Sequence, residues 1–98
     1  MKWHDRRERI RLDIARVFSD RSGIGEDDFL EIFYNSVPPP PIGDFNSQYL
    51  ADEETLGEVF SALSASIGLE VSKISGHYDR EESFPQFAEH LLRVGAYQ

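Results

Sequence analysis

An apolar stripe with helical spacing runs through the middle of this 98-residue chain and limits its fold more than any other feature. Counted from the first member, the others follow at three, four, seven and eleven residues, as on one face of a helix: Leu56, Val59, Phe60, Leu63 and Ile67. Asp52 precedes the stripe and can accept hydrogen bonds from the free amides of a first turn, and Gly68 suits a helix end. We therefore predict a central helix over residues 52–67, around which the rest of the chain is arranged.

A second amphipathic helix is predicted near the beginning of the chain, over residues 3–18. Its inner face is formed by four apolar side chains: Ile10, Ile14, Val17 and Phe18. Leu12 falls outside that face. The sequence Ser-Asp-Arg-Ser-Gly over residues 19–23 breaks the pattern, so the helix is expected to end there.

A short helix is predicted after this break. Asp27 or Asp28 is placed to cap it, and its apolar face would hold Phe29, Ile32 and Phe33. These three side chains are therefore assigned to the core.

Four consecutive prolines follow, between Val37 and Ile42. Each proline has a fixed φ angle and lacks an amide proton, so the run is expected to be extended polyproline. We interpret it as a spacer, with docking into an aromatic groove of a partner protein as the alternative.

The C-terminal third predicts a loop and a last helix. Apolar and polar residues alternate over residues 69–76, which suits either a short strand or the extended entry to a short helix. Ser83 and Gln86 form a capping box, Pro85 fits a first helical turn, and Gly95 suits the end. The inner face of this helix would be formed by five residues: Phe84, Phe87, Ala88, Leu91 and Val94.

These elements predict an all-α fold, a small bundle of three to four helices in which residues 1–98 form a single domain. The composition, 40% hydrophobic and 29% charged, is that of a folded globular chain. The absence of cysteine excludes disulfides and thiolate chemistry. No apolar run approaches the length needed to cross a bilayer, and no apolar signal core follows the N-terminal charges. We therefore expect a cytoplasmic protein that does not bind membranes.

The net charge of −8 is distributed unevenly. Residues 1–21 hold seven basic and four acidic side chains, a net charge of +3, whereas residues 22–98 hold three basic and fourteen acidic ones, a net charge of −11. The acidic part would repel the phosphates of nucleic acid and favours a basic protein partner. The simplest interpretation of the basic segment is that it steadies the acidic body of the same domain.

The residues that could support catalysis form no recognisable motif. His4, His77 and His90 stand in no nucleophile elbow or metal-ligand spacing, and His77 and His90 are assigned to a loop and a helix surface. The glycines at 23 and 25 follow no strand and do not form a phosphate-binding loop. We therefore predict a protein that is not an enzyme and that uses no cofactor or metal ion.

The segment from residue 45 to residue 72 resembles the acyl carrier proteins. In that family a loop beginning with Phe leads to Ala-Asp-Ser-Leu at the start of a long helix. A short stretch of acidic and hydrophobic residues follows the helix. Five positions or short stretches match that register: Phe45, Ala51-Asp52, Glu58, Ala62-Leu63 and Leu69-Glu70-Val71. The resemblance implies an acyl-carrier-like bundle. Residues 25–43 depart from ordinary carriers and are interpreted as an enlarged first loop that contains the extra short helix and the prolines.

The resemblance also implies a changed function, because Glu53 occupies the position of the serine that carries the phosphopantetheine arm. Nearby serines at 47, 61, 64 and 66 do not fit the register of the arm. In the family, acids of the second helix bind partners, which here assigns partner binding to four residues: Asp52, Glu53, Glu54 and Glu58. The predicted function is therefore an acidic interaction module without the arm. The alternative is a small acidic inhibitor, such as a toxin-immunity protein, that binds a basic partner.

Overall fold

The computed structural model describes residues 2–50 and 52–98, without the side chain of Trp3, and these residues form a helical bundle with no β-strand. Ala51, which contributes to the resemblance, lies outside them. The elements in chain order are α1 (Trp3–Ser22), α2 (Glu26–Phe29) with a π-helical turn (Leu30–Tyr34), α3 (Ile42–Tyr49), α4 (Glu53–Ile67), α5 (Val71–Gly76) and α6 (Phe84–Arg93). The all-α prediction is confirmed, and the six α-helices of the described residues are compatible with a small bundle. The sequence predicted three to four helices with one extra short helix in the first loop, so the additional element is α3.

Helix α1 is the element that contacts the largest part of the bundle. It packs against α4, α6 and α2, whereas the most extensive contacts of α4 are with α1 and α5. The predicted inner face of α1 is buried and Leu12 is 46% exposed, as expected. The helix continues to Ser22 because Gly23 adopts a left-handed conformation, with φ of 81°, and donates its N–H to the carbonyl of Ser19 at 3.1 Å.

Helix α4 matches its prediction closely. Asp52 is its N-cap, and Gly68, with φ of 73°, ends it. The stripe faces the core: four of its members are buried and Leu56 is half-buried. The prediction that this helix organises the whole chain is wrong, however, because α1 lies between α4 and α6 and joins them to α2.

The region of α2 differs from the prediction in two ways. Gly25 is the N-cap and no side chain caps the helix, so Asp27 and Asp28 lie within its first turn. Phe29 and Phe33 are buried, but Ile32 is 44% exposed. The reason is the π-helical turn, in which hydrogen bonds join residues five apart and each turn holds more than four residues. Phe29 and Phe33, four residues apart, therefore stay on one face, and the side chain of Ile32 turns toward solvent.

The proline run leads directly into a helix that was not predicted. Pro41 has φ of −68° and ψ of 152°, the polyproline conformation that was expected, and α3 begins at the next residue. The Val37–Pro38 peptide bond is cis. Ile42 and Phe45 of α3 are fully buried and Tyr49 is half-buried. Helix α3 therefore contributes to the core.

The C-terminal helices follow the sequence prediction with small changes. The alternating segment becomes α5, which selects the short helix over the strand. The capping box of Ser83 and Gln86 is present at the start of α6. The helix ends at Arg93, and Val94, which was assigned to its inner face, lies beyond the end and is half-buried.

Aromatic rings form the centre of one contiguous core. The ring of Phe84 packs edge to face against Phe18 and against Phe29, each with 4.9 Å between centroids, and against Phe45 at 5.5 Å. These contacts join α6 to α1, α2 and α3. The core therefore links sequence segments that are far apart.

Tyr97 connects α1 to α4 beyond the last helix. Its N–H bonds the carbonyl of Ile67 at 2.8 Å, its hydroxyl donates to Asp13, and the Arg9 guanidinium lies 4.4 Å from its ring centroid. Its backbone has a positive φ of 65°, a conformation rare outside glycine. These contacts hold the residue in that conformation.

Candidate functional site

The start of α4, where the resemblance places the missing arm, is defined by one hydrogen-bonded carboxylate. Oδ1 of Asp52 accepts hydrogen bonds from the backbone N–H of Thr55 at 2.8 Å and from its hydroxyl at 2.9 Å. The bond from the Thr55 N–H favours the charged carboxylate and lowers the pKa of Asp52. Asp52 therefore has a structural role as a cap, and Glu53 is the first residue of the helix.

The four predicted partner-binding acids are all exposed, but they do not form one cluster. Asp52 and Glu53 lie on the edge of a groove that extends toward α5. Glu54 and Glu58, one helical turn apart, line a shallow depression on the other side of α4, together with Arg21 of α1. The charge of α4 is thus presented in two directions.

The groove beside Glu53 is an amphipathic feature that sequence reasoning missed. It has a volume of about 440 Å³, and its apolar lining comes from Leu50, Leu56, Phe60 and Tyr78. Arg80, from the loop between α5 and α6, also lines it and brings a positive charge to a groove with acids on its edge. The groove can therefore contact apolar and charged groups together.

Tyr78 is fixed at this groove by a hydrogen bond. Its hydroxyl donates to Oδ1 of Asn46 at 2.6 Å, and its ring packs edge to face on Phe60 with 5.0 Å between centroids. Burial raises the pKa of the Tyr78 hydroxyl above its ordinary value, so the side chain is neutral at physiological pH. It acts here as a neutral part of the groove wall.

Two of the three histidines are brought together, which the sequence did not predict. The rings of His77 and His90 stack with 5.5 Å between centroids, and Nε2 of His90 lies 3.0 Å from a carboxylate oxygen of Glu82. His90 lies on α6 with 32% of its side chain exposed, and His77 directly follows α5, so the predicted helix and loop positions are found but the contact between the two residues is new. Among the described residues, no group of three or more histidines or carboxylates is arranged to hold a metal ion.

Three of the six arginines of α1 pair with acids of the same helix. Arg11 contacts Glu8 at 2.8 Å, Arg16 contacts Asp13 at 3.1 Å, and Arg21 contacts Asp20 at 2.8 Å. The one ion pair described between an arginine of α1 and the acidic part of the chain joins Arg7 to Glu89 at 2.8 Å. This ion pair, together with the hydrogen bond of 2.9 Å from Arg16 to the hydroxyl of Ser66, supports the interpretation that the basic segment steadies the acidic body.

Within residues 2–50 and 52–98, few of the acids after residue 21 form ion pairs. Of these fourteen side chains, the described ion pairs include only Glu89, with Arg7, and Glu82, with His90. The acids at the start of α4 are among the others. Their side chains are exposed to solvent.

No family model, curated protein or solved structure matches this chain. None of the described helices has both the length and the apolar character required to span a membrane.

Proposed function

We propose that this protein is a non-enzymatic domain similar to the acyl carrier proteins, without the phosphopantetheine serine, that binds a basic protein partner through the acids of α4. The observation that carries the proposal is the position of Glu53 as the exposed first residue of α4, directly after the cap. A carrier presents its arm at this position. The side chain here offers a negative charge instead.

The order and lengths of the helices support the comparison with carriers. A long first helix is followed by a long loop, the acidic helix α4, the short helix α5 and the last helix α6. The loop contains α2 and the prolines, as expected of an enlarged loop over residues 25–43, and in addition α3, which was not expected.

The nearby serines support a function without the arm. Ser47 donates its hydroxyl hydrogen to the carbonyl of Gly43 at 2.9 Å, and Ser64 donates to the carbonyl of Leu69. The hydroxyl of Ser66 accepts from Arg16 at 2.9 Å. None of these hydroxyls lies at the start of α4.

The test of partner binding is a charge reversal with a matched control. The variant E53K/E54K/E58K changes the net charge by six at α4, and E26K/D27K/D28K makes the same change in the first turn of α2. Partners captured by the immobilised wild-type protein are purified and titrated against both variants. We expect the α4 variant to lose about tenfold or more in affinity and the α2 variant to lose much less. Equal losses would show that only total charge matters and would reject the α4 surface.

Two further observations separate the classes of function. Intact-mass measurement after incubation with a phosphopantetheinyl transferase and coenzyme A should show no added mass, and an arm on any serine would overturn the proposal. The identity of the partner decides between module and inhibitor. A nuclease whose activity falls on binding would support the inhibitor, and a carrier-handling enzyme would support the interaction module.

A further inference from the structure

The proline run between the π-helical turn and α3 is held at both ends. On the N-terminal side, Asn35 donates its N–H to the carbonyl of Leu30 at 2.7 Å and so closes the π-helical turn. On the C-terminal side, the N–H of Ile42 bonds the carbonyl of Glu82 at 2.7 Å, and the Ile42 side chain is fully buried. The prolines therefore cross the surface as a segment whose ends are fixed by the core.

The covalent chemistry of the run determines its shape. Every proline has φ near −65°, and a residue followed by proline is restricted to extended values of ψ. A polyproline helix has three residues per turn, so Pro38 and Pro41 lie on the same edge. The burial pattern agrees, because Pro38 and Pro41 are exposed while Pro39 and Pro40 are half-buried.

The exposed edge is apolar and has no cover within the described chain. Val37, which precedes it, is 97% exposed, the highest value among the exposed large hydrophobic residues. The edge offers no N–H donors, since each proline lacks one, and it presents two pyrrolidine rings one turn apart. Aromatic side chains are the usual binding surface for such rings, because flat rings pack against the pyrrolidine faces.

We propose that the edge formed by Pro38 and Pro41, with the exposed side chain of Val37 before it, binds an aromatic-lined groove of a partner protein. Binding costs little conformational entropy in the proline run, because proline fixes the backbone and both ends of the run are already anchored. The half-buried Pro39 and Pro40 leave one edge free, so the partner must grip that edge in a shallow groove. This surface is distinct from the acids of α4 and does not depend on the function proposed for them.

The first test compares two variants that each lose two prolines. P38A/P41A removes both rings of the exposed edge, and P39A/P40A leaves that edge intact. The wild-type full-length chain is used to capture partners from a lysate of the cells that produce it, and each partner with an aromatic-lined groove, such as an SH3, WW or EVH1 domain, is purified and titrated. We expect P38A/P41A to weaken binding by about tenfold or more and P39A/P40A to weaken it much less.

The second test uses a photo-crosslinking residue, which does not require removal of the prolines. Val37 is replaced by benzoyl-phenylalanine in the full chain, and Gln48, an exposed residue of α3, receives the same group as a control. Crosslinks from position 37 are expected to map to the aromatic groove of the partner and those from position 48 are not. Failure to recover a partner with such a groove, or equal affinity of the two proline variants, would overturn the proposal. The α4 variant E53K/E54K/E58K should bind this partner as the wild type does, so the two proposals fail separately.

Discussion

Asp52 shows how much a single side chain does at the start of α4. Its carboxylate accepts hydrogen bonds from both the N–H and the hydroxyl of Thr55, so Asp52→Ala leaves the amide without its acceptor. We expect this variant to lower the midpoint of thermal unfolding by a few degrees, measured by circular dichroism at pH 7. Asp52→Asn keeps an acceptor oxygen and should stay close to the wild type.

The wild type and Asp52→Asn can also be compared as a function of pH, and the direction of the expected stability change is known. The pKa of Asp52 is lower in the folded state than in the unfolded state. Its charged form therefore stabilises the fold at pH values above the unfolded-state pKa of Asp52. This stabilisation is lost as the pH falls through the folded-state pKa. The wild type should therefore lose more stability than Asp52→Asn between about pH 5 and pH 3. If both lose the same amount, Asp52 does not cap the helix as a carboxylate.

At the scale of single elements, the sequence predicted what is determined locally. The stripe and cap of α4 and the capping box of α6 depend on residues within one helix, and both helices were found. Helix α3 was missed although Ile42 and Phe45 have helical spacing, because the prolines before it were interpreted only as a spacer. Pro41 is in fact the N-cap of α3.

The capping box of α6 is the element that is simplest to test. The backbone N–H of Ser83 bonds Oε1 of Gln86 at 2.9 Å, and the Ser83 side chain accepts from the Gln86 amide. Ser83→Ala should lower the free energy of unfolding by about 1 kcal/mol, measured by urea denaturation. Ser61→Ala, on the exposed face of α4, is the matched control and should change stability by less than about 0.5 kcal/mol. Similar losses in the two variants would mean that the box is energetically unimportant.

At the scale of the whole molecule, the aromatic core joins elements that no local pattern could pair. The groove beside Glu53 has the same origin, since its lining residues come from α3, α4, α5 and two loops. The sequence identified the acids of α4 as candidate site residues because they are consecutive or one turn apart. It could not identify Tyr78 and Arg80, which reach the groove only through the packing of α5.

Phe84 provides the test of this tertiary organisation. Its ring contacts aromatic rings on α1, α2 and α3, so Phe84→Ala should lower the free energy of unfolding by about 3–5 kcal/mol. That is a large share of the roughly 5–15 kcal/mol that stabilises a typical native protein. Phe84→Leu keeps most of the apolar volume and should cost about 1–2 kcal/mol in the same urea experiment. Equal costs would show that the ring contacts add nothing beyond apolar burial.

The pairing of charges determines how salt should act on the whole molecule. Three of the six arginines of α1 form ion pairs within α1, and one described ion pair joins α1 to an acid after residue 21. Residues 22–98, with a net charge of −11, therefore repel themselves with little compensation. At 10 mM salt the Debye length, about 30 Å, is close to the longest dimension of the molecule, 33 Å, and at 150 mM it is about 8 Å. Raising the salt concentration therefore weakens the repulsion among the acids more than it weakens the attraction between opposite charges.

We accordingly expect NaCl to raise the midpoint of thermal unfolding by a few degrees between 10 and 150 mM, with KCl giving the same result. Arg7→Ala removes the ion pair between Arg7 and Glu89. Both side chains are partly exposed, so the free energy of unfolding should fall by less than about 1 kcal/mol. If the basic segment instead held the acidic body by attraction across the bundle, salt would lower the midpoint and Arg7→Ala would be strongly destabilising. The sign of the salt effect therefore decides whether repulsion among the acids or attraction to the basic segment dominates in the whole molecule.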